Sequence, residues 1–361
     1  MSKARGLADL GNVYDDGALS NRNLIINGAM RVAQRGTSFT GLTATQYCLD
    51  RMRFSVSNLG TWTVTQDSDA PAGFGYSMKI DCTTADASPA STDTLFLYHA
   101  LEGQNLQALA KGTADAKPVT LSFWVKSSKT GASQVNMRDT DNTRVIGSSY
   151  SISSANTWEY KTVTFSGDAT GSFDNDNSKS LQLEWWLDAG TNYTSGSIPT
   201  SWQAVSNGDL CVDNLSLGDS TSNTWQITGV QLEVGDTATP FEHPRSFGDE
   251  LARCQRYFYR IDNGGVGNTA LCAASVWDAG SIYGAHLHKV EMRASPTASS
   301  GGEFTILTGG QQQSFTNQLN FNSPSKLGCE FQFYKTGHNL TVGRGAWVRI
   351  VDAYINFDAE L

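Results

Sequence analysis

The sequence predicts an all-β protein: two β-sandwich domains joined by a short helix and preceded by an extended N-terminal segment. Three observations carry that prediction. Short runs with period-2 alternation recur along most of the chain, separated by Gly, Asn, Asp and Ser turns. The composition is polar and glycine-rich, with 35 Gly and only 17% charged side chains, while nine Trp, twelve Tyr and sixteen Phe suffice to fill two sandwich cores. Only residues 248–260 show helical spacing over more than two turns.

Residues 1–22 are small and polar, with Leu7, Leu10 and Val13 spaced by three. Alone they bury too little apolar surface to fold, so they are expected either to pack on their own domain or to be held by a partner. Residues 23–247 form the first predicted domain. Its expected strands are Leu24–Ile26, Asp50–Val56, Trp62–Gln66, Ser77–Asp81, Thr94–Leu101, Val119–Ser127, Gln134–Arg138, Tyr160–Ser166, Leu181–Leu187, Leu210–Leu217 and Thr224–Val234. In Val119–Ser127, Val119, Leu121, Phe123 and Val125 share one face. In Thr224–Val234, Trp225, Ile227, Gly229, Gln231 and Glu233 share one face and Thr228, Val230, Leu232 and Val234 the other. A short helix over Glu102–Ala110 is suggested by Leu106, Leu109 and Ala110. The connector, 248–260, has Asp249 as a fair N-cap, Glu250 in the first turn, and Leu251, Cys254 and Tyr257/Phe258 along one stripe. The remainder, 261–361, returns to short strands: Ala270–Val276, Ser281–Glu291, Phe304–Leu307, Glu330–Tyr334 and Ala346–Phe357. No heptad, collagen or β-helix repeat occurs, which implies a compact knob and not a shaft.

The stretch Gly229-Val-Gln-Leu-Glu-Val-Gly-Asp-Thr-Ala-Thr-Pro-Phe-Glu242, followed by Asp249-Glu-Leu-Ala-Arg-Cys-Gln-Arg-Tyr-Phe-Tyr-Arg260, resembles a signature of bacteriophage tail-fibre and virion-appendage proteins. In those proteins it closes a sandwich like that of carbohydrate-binding modules. The opening Asn23-Leu-Ile-Ile-Asn-Gly28 and the later Leu210-Cys-Val-Asp-Asn-Leu-Ser-Leu217 sit where that jelly-roll family has its first strand and its acidic strand. Arg293–Thr297 and Ile355–Leu361 are similar to segments of phage fibre tips. The resemblance covers most of the chain and is specific as a set of motifs. It implies a jelly-roll-like first domain and a C-terminal β-sandwich knob. It also implies that Ser2–Asn12, with Lys3, Arg5, Leu7 and Leu10, joins the chain to the particle.

Bulk charge excludes some partners. A net charge of −9 and a pI near 5.0 lack the basic footprint of nucleic-acid binding and oppose docking to an anionic membrane. No apolar run approaches the ~18 residues needed to span a bilayer, and Met1–Leu10 lacks the apolar core of a signal peptide. Six scattered cysteines, Cys48, Cys82, Cys211, Cys254, Cys272 and Cys329, form no CxxC pair and read as reduced, buried thiols.

Catalytic signatures are sparse. Glu184, beside Trp185-Trp186, and Asp188 at i+4 would share a strand face about 13 Å apart from a ~3.3 Å rise per residue, too far for either glycosidase geometry. No GxSxG elbow or glycine-rich phosphate loop occurs. His286-Leu-His288 puts two imidazoles on one face with no third ligand at suitable spacing, as a metal pair or a surface or interface pair. Jelly-rolls of the resembled family often hold a structural Ca²⁺. Asp213 occupies the matching position but is followed by Asn214, and Asp168, Asp174 and Asp176 form an acidic loop. No cofactor is expected; Asp213 is the candidate for a structural Ca²⁺, and the acidic loop reads as a solvated turn that could bind one loosely.

Sugar binding needs flat aromatic faces beside hydrogen-bonding groups. Trp186, Trp202, Tyr193 and Trp277 have such company and are the candidate glycan-binding residues. Trp185 and Trp186 must point to opposite faces, one into the core and the other exposed or at a subunit contact. Together these readings lead to the expectation of a non-enzymatic phage virion protein, a tail fibre or receptor-binding appendage assembled in the host cytoplasm. It would be a homo-oligomer, by resemblance a trimer, contacting other virion proteins through its N-terminus and a host surface glycan elsewhere. A purely structural virion component and a polysaccharide depolymerase are the alternatives.

Overall fold

A computed structural model describes residues 21–316, 318–334 and 340–361, so Lys3, Arg5, Leu7 and Leu10 lie outside the described residues. The chain is all-β and divides into two compact units. One runs to Glu250 and includes Leu361; the other is Leu251–Glu360.

The first unit contains β1 (Ser38–Leu42), β2 (Gln46–Tyr47), β3 (Arg53–Ser57), β4 (Thr61–Asp67), β5 (Ser77–Thr84), β6 (Thr94–Glu102), β7 (Val119–Ser127), β8 (Gly131–Asp139), β9 (Arg144–Ile152), β10 (Glu159–Phe165), β11 (Lys179–Ala189), β12 (Gln203–Ala204) and β13 (Thr224–Val234). They form a six-stranded sheet, β1-β4-β5-β13-β7-β10, and a seven-stranded sheet, β12-β9-β8-β11-β6-β3-β2. Consecutive strands repeatedly change sheet, as in jelly-roll sandwiches. The inner faces enclose one core, with Trp62, Ile80, Leu121, Phe123, Val125, Trp225 and Ile227 from one sheet and Phe54, Leu95, Leu97, Val135, Leu183 and Trp185 from the other. Phe123 meets Trp185 edge to face across the gap, their centroids 5.9 Å apart. Such pairs contribute about 0.5–1.5 kcal/mol beyond their buried area.

Two bulges change which residues face this core. In β13 the pairing with β7 shifts by one residue between Thr228 and Gln231. Gly229 there takes φ +62°, and a Cβ would lie 2.7 Å from Phe74 Cζ and 3.0 Å from Trp124 Cδ1. The extra residue reverses the alternation, so Trp225 and Ile227 before it and Val230 and Leu232 after it all enter the same core. The simple two-face expectation for this strand is therefore corrected. In β11 the register against β6 shifts between Trp186 and Asp188, which turns Asp188 to the side of Leu95, away from Glu184.

Other expectations need adjusting. Leu24–Ile26 runs beside β13, with Leu24 N donating to Leu232 O (2.9 Å), without forming a regular strand. Glu102–Ala110 holds two 3₁₀ turns, Gly103–Asn105 and Gln107–Leu109, in place of an α-helix. Leu210–Leu217 is irregular, flanked by 3₁₀ turns, because its polar side chains and carbonyls bond to neighbouring strands' side chains and not to a ladder. β9 escapes a pattern reading because Gly147, Ser148, Ser149 and Ser151 dilute its apolar alternation.

The connector is helical only over Phe247–Gln255. Ser246 Oγ, not Asp249, accepts from the backbone, taking Asp249 N–H at 3.1 Å, and Asp249 and Glu250 fill the first turn. Tyr257-Phe-Tyr259 favours extended backbone, so the predicted helix gives way to a strand, β14 (Phe258–Asp262).

The second unit continues with β15 (Thr269–Val276), β16 (Ser281–Leu287), β17 (Thr297–Thr308), β18 (Gln311–Thr316), β19 (Leu319–Asn322), β20 (Gly328–Tyr334) and β21 (Gly345–Asp358). Where a two-sheet knob was expected, all eight strands join in one sheet, β18-β17-β21-β15-β16-β20-β19, with β14 also on β21. The length of β21 explains this: its first half pairs with β15 and its second half with β14, while β17 runs along its other edge. Phe304, Ile306, Phe315, Phe331, Phe333, Val348, Ile350, Ile355 and Phe357 make a single aromatic-rich core.

Candidate functional site

The outer face of the seven-stranded sheet is laid out by its register. One row across the strands is Ser55–Phe96–Trp186–Gln134, the next is Arg53–Tyr98–Glu184–Asn136, and the third sets Gln182 beside Arg138. Alternation alone brings these polar and aromatic groups together, because each lies two residues from the next on its own strand.

The first row is covered by the loop 190–212. Gln134 Nε2 donates to Asp209 O (2.7 Å), Asn136 Nδ2 to Leu210 O (2.8 Å), and Val212 N to Gln134 Oε1 (2.8 Å). Beneath it Trp186 is 2% exposed, stacked on Phe96 at 4.6 Å and 16° and tilted against Tyr193 at 5.4 Å. Its indole N–H donates to Glu184 Oε2 (2.9 Å).

The loop also holds Asn136 of the second row, and a groove opens on the Arg53 and Arg138 side of the face. Arg53, Ser55, Tyr98, Arg138, Lys179 and Gln182, with threonines 45, 140 and 143, line a groove of about 430 Å³. Glu184 lies under its floor, fully buried. Burial pushes its carboxyl above the usual range, opposed by Arg138 and by the Trp186 hydrogen bond. Arg138 Nη1 stands 3.6 Å from Glu184 Oε1, and Gln182 Nε2 donates to that oxygen at 2.9 Å. Lys179 Nζ donates to Gln182 Oε1 (2.9 Å); burial pulls its ammonium down, Glu184 opposes this, and Arg138 and Arg53 add to it. The Arg53 guanidinium lies 5.3 Å from the Tyr47 ring and 5.4 Å from the Tyr98 ring, and its buried Nε has no hydrogen-bond partner among the described residues. The arrangement offers an aromatic ring, amide and hydroxyl groups and cations to a polar ligand. Glu184 and Asp188 point to opposite faces and do not form a catalytic pair.

On the outer face of the six-stranded sheet the chain itself closes over Gln231 and Glu233, while Tyr160 on the same face stays exposed. Glu233 accepts from Thr239 N (2.9 Å), Thr239 Oγ1 (2.6 Å) and Gln231 Nε2 (2.9 Å), and Gln231 Oε1 accepts from Glu242 N (2.7 Å). The Glu242 carboxylate accepts in turn from Asn21 N (2.6 Å) and Asn23 N (3.0 Å). Phe241 packs edge to face on Phe74 at 5.0 Å. The most recognisable stretch of the sequence is thus a clasp in which the last strand binds the segment that follows it.

The remaining expected positions are scattered. Trp202 is half-buried, donates Nε1–H to Ser166 O (2.8 Å) and has the Lys111 ammonium 5.2 Å from its ring. Trp277 is 70% exposed in the second unit, edge-on to Tyr283 at 6.1 Å. Of the four aromatic candidates, only Trp186 and Tyr193 come together, and Trp186, expected to be exposed or at a subunit contact, is buried within its own domain. The residues missed, Arg53, Tyr98, Arg138, Lys179 and Gln182, carry a legible signal: polar or aromatic side chains at every second position of strands whose other face is apolar.

No group of three or more His, Cys, Asp or Glu placed to hold a metal occurs among the described residues. Asp213 is half-buried, and its neighbour Asn214 donates to Asp188 Oδ1 (3.1 Å) and Ala189 O (3.1 Å). In the acidic loop Asp168 is engaged by a different cation. Lys111 Nζ lies 2.6 Å from Asp139 Oδ2 and 3.1 Å from Asp168 Oδ2, and donates to Thr170 O (3.0 Å) and Gly171 O (2.7 Å). Arg144 Nε completes the pairing with Asp168 at 2.7 Å. His286 and His288 are half-buried, and no metal-holding group among the described residues includes them. Their rings lie among Tyr259, Phe331 and Phe357, His286 parallel to Phe357 at 5.3 Å and 3°. All six cysteines are free, five buried and Cys272 half-buried, and burial pushes the Cys48 thiol up to about 12.

No protein-family model matches the chain, and no curated protein does. Among solved structures it is similar to the enzymatically active domain of tailspike protein 4 of bacteriophage CBA120 (11% identity, TM-score 0.29, covering 59% of this chain). The chain spans only 21% of that tailspike structure's length. It is also similar to TmCBM61 in complex with β-1,4-galactotriose (12% identity, TM-score 0.29, covering 59% of this chain and 99% of that one). A third is the family 11 carbohydrate-binding module of the cellulosomal cellulase Lic26A-Cel5E of Clostridium thermocellum (10% identity, TM-score 0.29, 61% and 99%). Likenesses this slight carry no argument about what this chain binds.

Proposed function

We propose that this chain is a non-enzymatic glycan-binding appendage of a phage particle, and that the open half of the seven-stranded sheet's outer face is its binding surface. One observation carries the reading. On the six-stranded sheet the outward Gln231 and Glu233 are bonded to the Thr239–Glu242 segment, whereas the seven-stranded sheet keeps a groove lined by Arg53, Arg138 and Lys179, with Tyr98 and Gln182 buried in its wall. A saccharide needs this mixture of an aromatic surface and hydrogen-bonding side chains. The virion assignment is supported by the tail-fibre-like motif of residues 229–260. The same motif motivates a homotrimer, attachment to other virion proteins through residues 1–22, and a place on the particle surface.

The test is a glycan array probed with the full chain, repeated with Arg138→Ala. The Arg138 side chain is 36% exposed, so its loss leaves no core cavity, but it faces the buried Glu184 carboxyl at 3.6 Å and some stability is lost with it. Tm is therefore followed beside glycan capture, which is expected to weaken about tenfold. Capture unchanged by Arg138→Ala would remove the groove from the site. A purely structural role has one observation in its favour, the exposed Trp277 (70%) and Trp347 (61%) of the second unit, which are suited to contact with a neighbouring copy. Light scattering on Trp277→Ser with Trp347→Ser reads this: dissociation of the oligomer assigns them to self-association.

A further inference from the structure

We infer that the groove selects an acidic saccharide, one whose carboxylate or phosphate group is received by Arg53, Arg138 and Lys179; this rests on the glycan-binding reading above. The chain as a whole carries a net charge of −9, yet the groove is locally cationic. The charged groups lining it are Arg53, Arg138, Lys179 and Asp139, and Asp139 already has the Lys111 ammonium at 2.6 Å. The carboxyl beneath the floor, Glu184, accepts from Gln182 and Trp186 and lies 3.6 Å from Arg138. Arg53, Arg138 and Lys179 therefore share this one buried carboxyl.

Arg53 is the most informative of them. A guanidinium between two tyrosine rings is held in place by cation–π attraction, and a buried Nε–H without an acceptor is costly unless something else supplies one. A planar fork held this way suits bidentate binding of a carboxylate or phosphate. The ammonium of Lys179, depressed by its burial and by its two arginine neighbours, would gain from the same anion. In a groove whose walls include the buried Ser55, Tyr98 and Gln182 such contacts are screened less than at a flat surface. A neutral sugar would leave this charge unanswered.

The experiment pairs each acidic oligosaccharide on an array (uronate, sialate, sulfated and phosphorylated) with its neutral counterpart, using the full chain at low and high salt. Acidic members are expected to bind about tenfold or more tightly than their neutral partners, with the preference shrinking in high salt. Arg53→Gln is expected to abolish the preference. Lys179→Met, farther from the tyrosine pair, is a second variant should Arg53→Gln not fold. The carboxylate, sulfate and phosphate arms identify the anion. Neutral and acidic partners binding alike would overturn the acidic preference and leave glycan binding standing. Capture of no saccharide at all would sink the glycan reading and this inference with it.

Discussion

The first unit presents two outer sheet faces built from similar residues and treats them oppositely. On the six-stranded sheet Gln231 and Glu233 find their partners in the chain a few residues on, at Thr239 and Glu242. On the seven-stranded sheet the equivalent alternating positions are covered over Trp186 and left unroofed over Arg53 and Arg138, with Tyr98 and Gln182 buried beside them. Polar residues on the outside of a sheet are therefore structural where the chain folds over them and free for a ligand where it does not. Residue type cannot separate the two cases; the path of the following loop does.

Substitutions can break that comparison. The largest effect is expected from Trp186→Ala. If the 190–212 loop makes that half of the face part of the fold, removing a 2% exposed indole stacked on Phe96 should cost about 3–5 kcal/mol. A change below about 1 kcal/mol in chemical denaturation would mean that Trp186 is not a core residue. Next in size is Glu233→Ala on the closed face. It strips acceptors from Thr239 and Gln231, and about 1–3 kcal/mol should be lost. Limited proteolysis should then cut within residues 236–245, and an intact segment would show that the clasp is held by other contacts.

How much of this was legible beforehand follows the same division. Strands whose alternation is uninterrupted, such as Val119–Ser127, were readable to the residue. The faces of Thr224–Val234 were not, because a single extra residue at Gly229 reverses parity and nothing local announces whether a glycine marks a bulge or a turn. Trp185 and Trp186 were correctly separated to opposite faces. The burial of Trp186 depended on a loop whose irregular course, 210–217, looked like a strand. The groove was missed because its parts come from β3, β6, β8 and β11, up to about 130 residues apart, and only the register aligns them.

The smallest effect extends the comparison to the second unit, where an imidazole packs among aromatic rings. His286 Nε2 has no hydrogen-bond partner among the described residues, and burial, then His288 and Lys289, lower its pKa from 6.5 to about 4. Between pH 6.5 and 4 the unfolded chain binds a proton that the folded one refuses. Stability from this group is therefore intact above pH 6.5 and falls as pH drops toward 4. The ring is partly exposed, so screening makes the loss modest. His286→Phe keeps the stack on Phe357 and should flatten the dependence of Tm on pH across that window. Identical slopes for the variant and the parent would show that His286 does not titrate as described.

The ammonium of Lys111 sits among two carboxylates and two backbone carbonyls, surroundings that elsewhere would suit a dissolved ion. Here the positive charge is covalently part of the chain. It cannot be leached by a chelator, diluted away or exchanged as the medium changes. At this junction of loops the protein carries its own counter-ion wherever it goes.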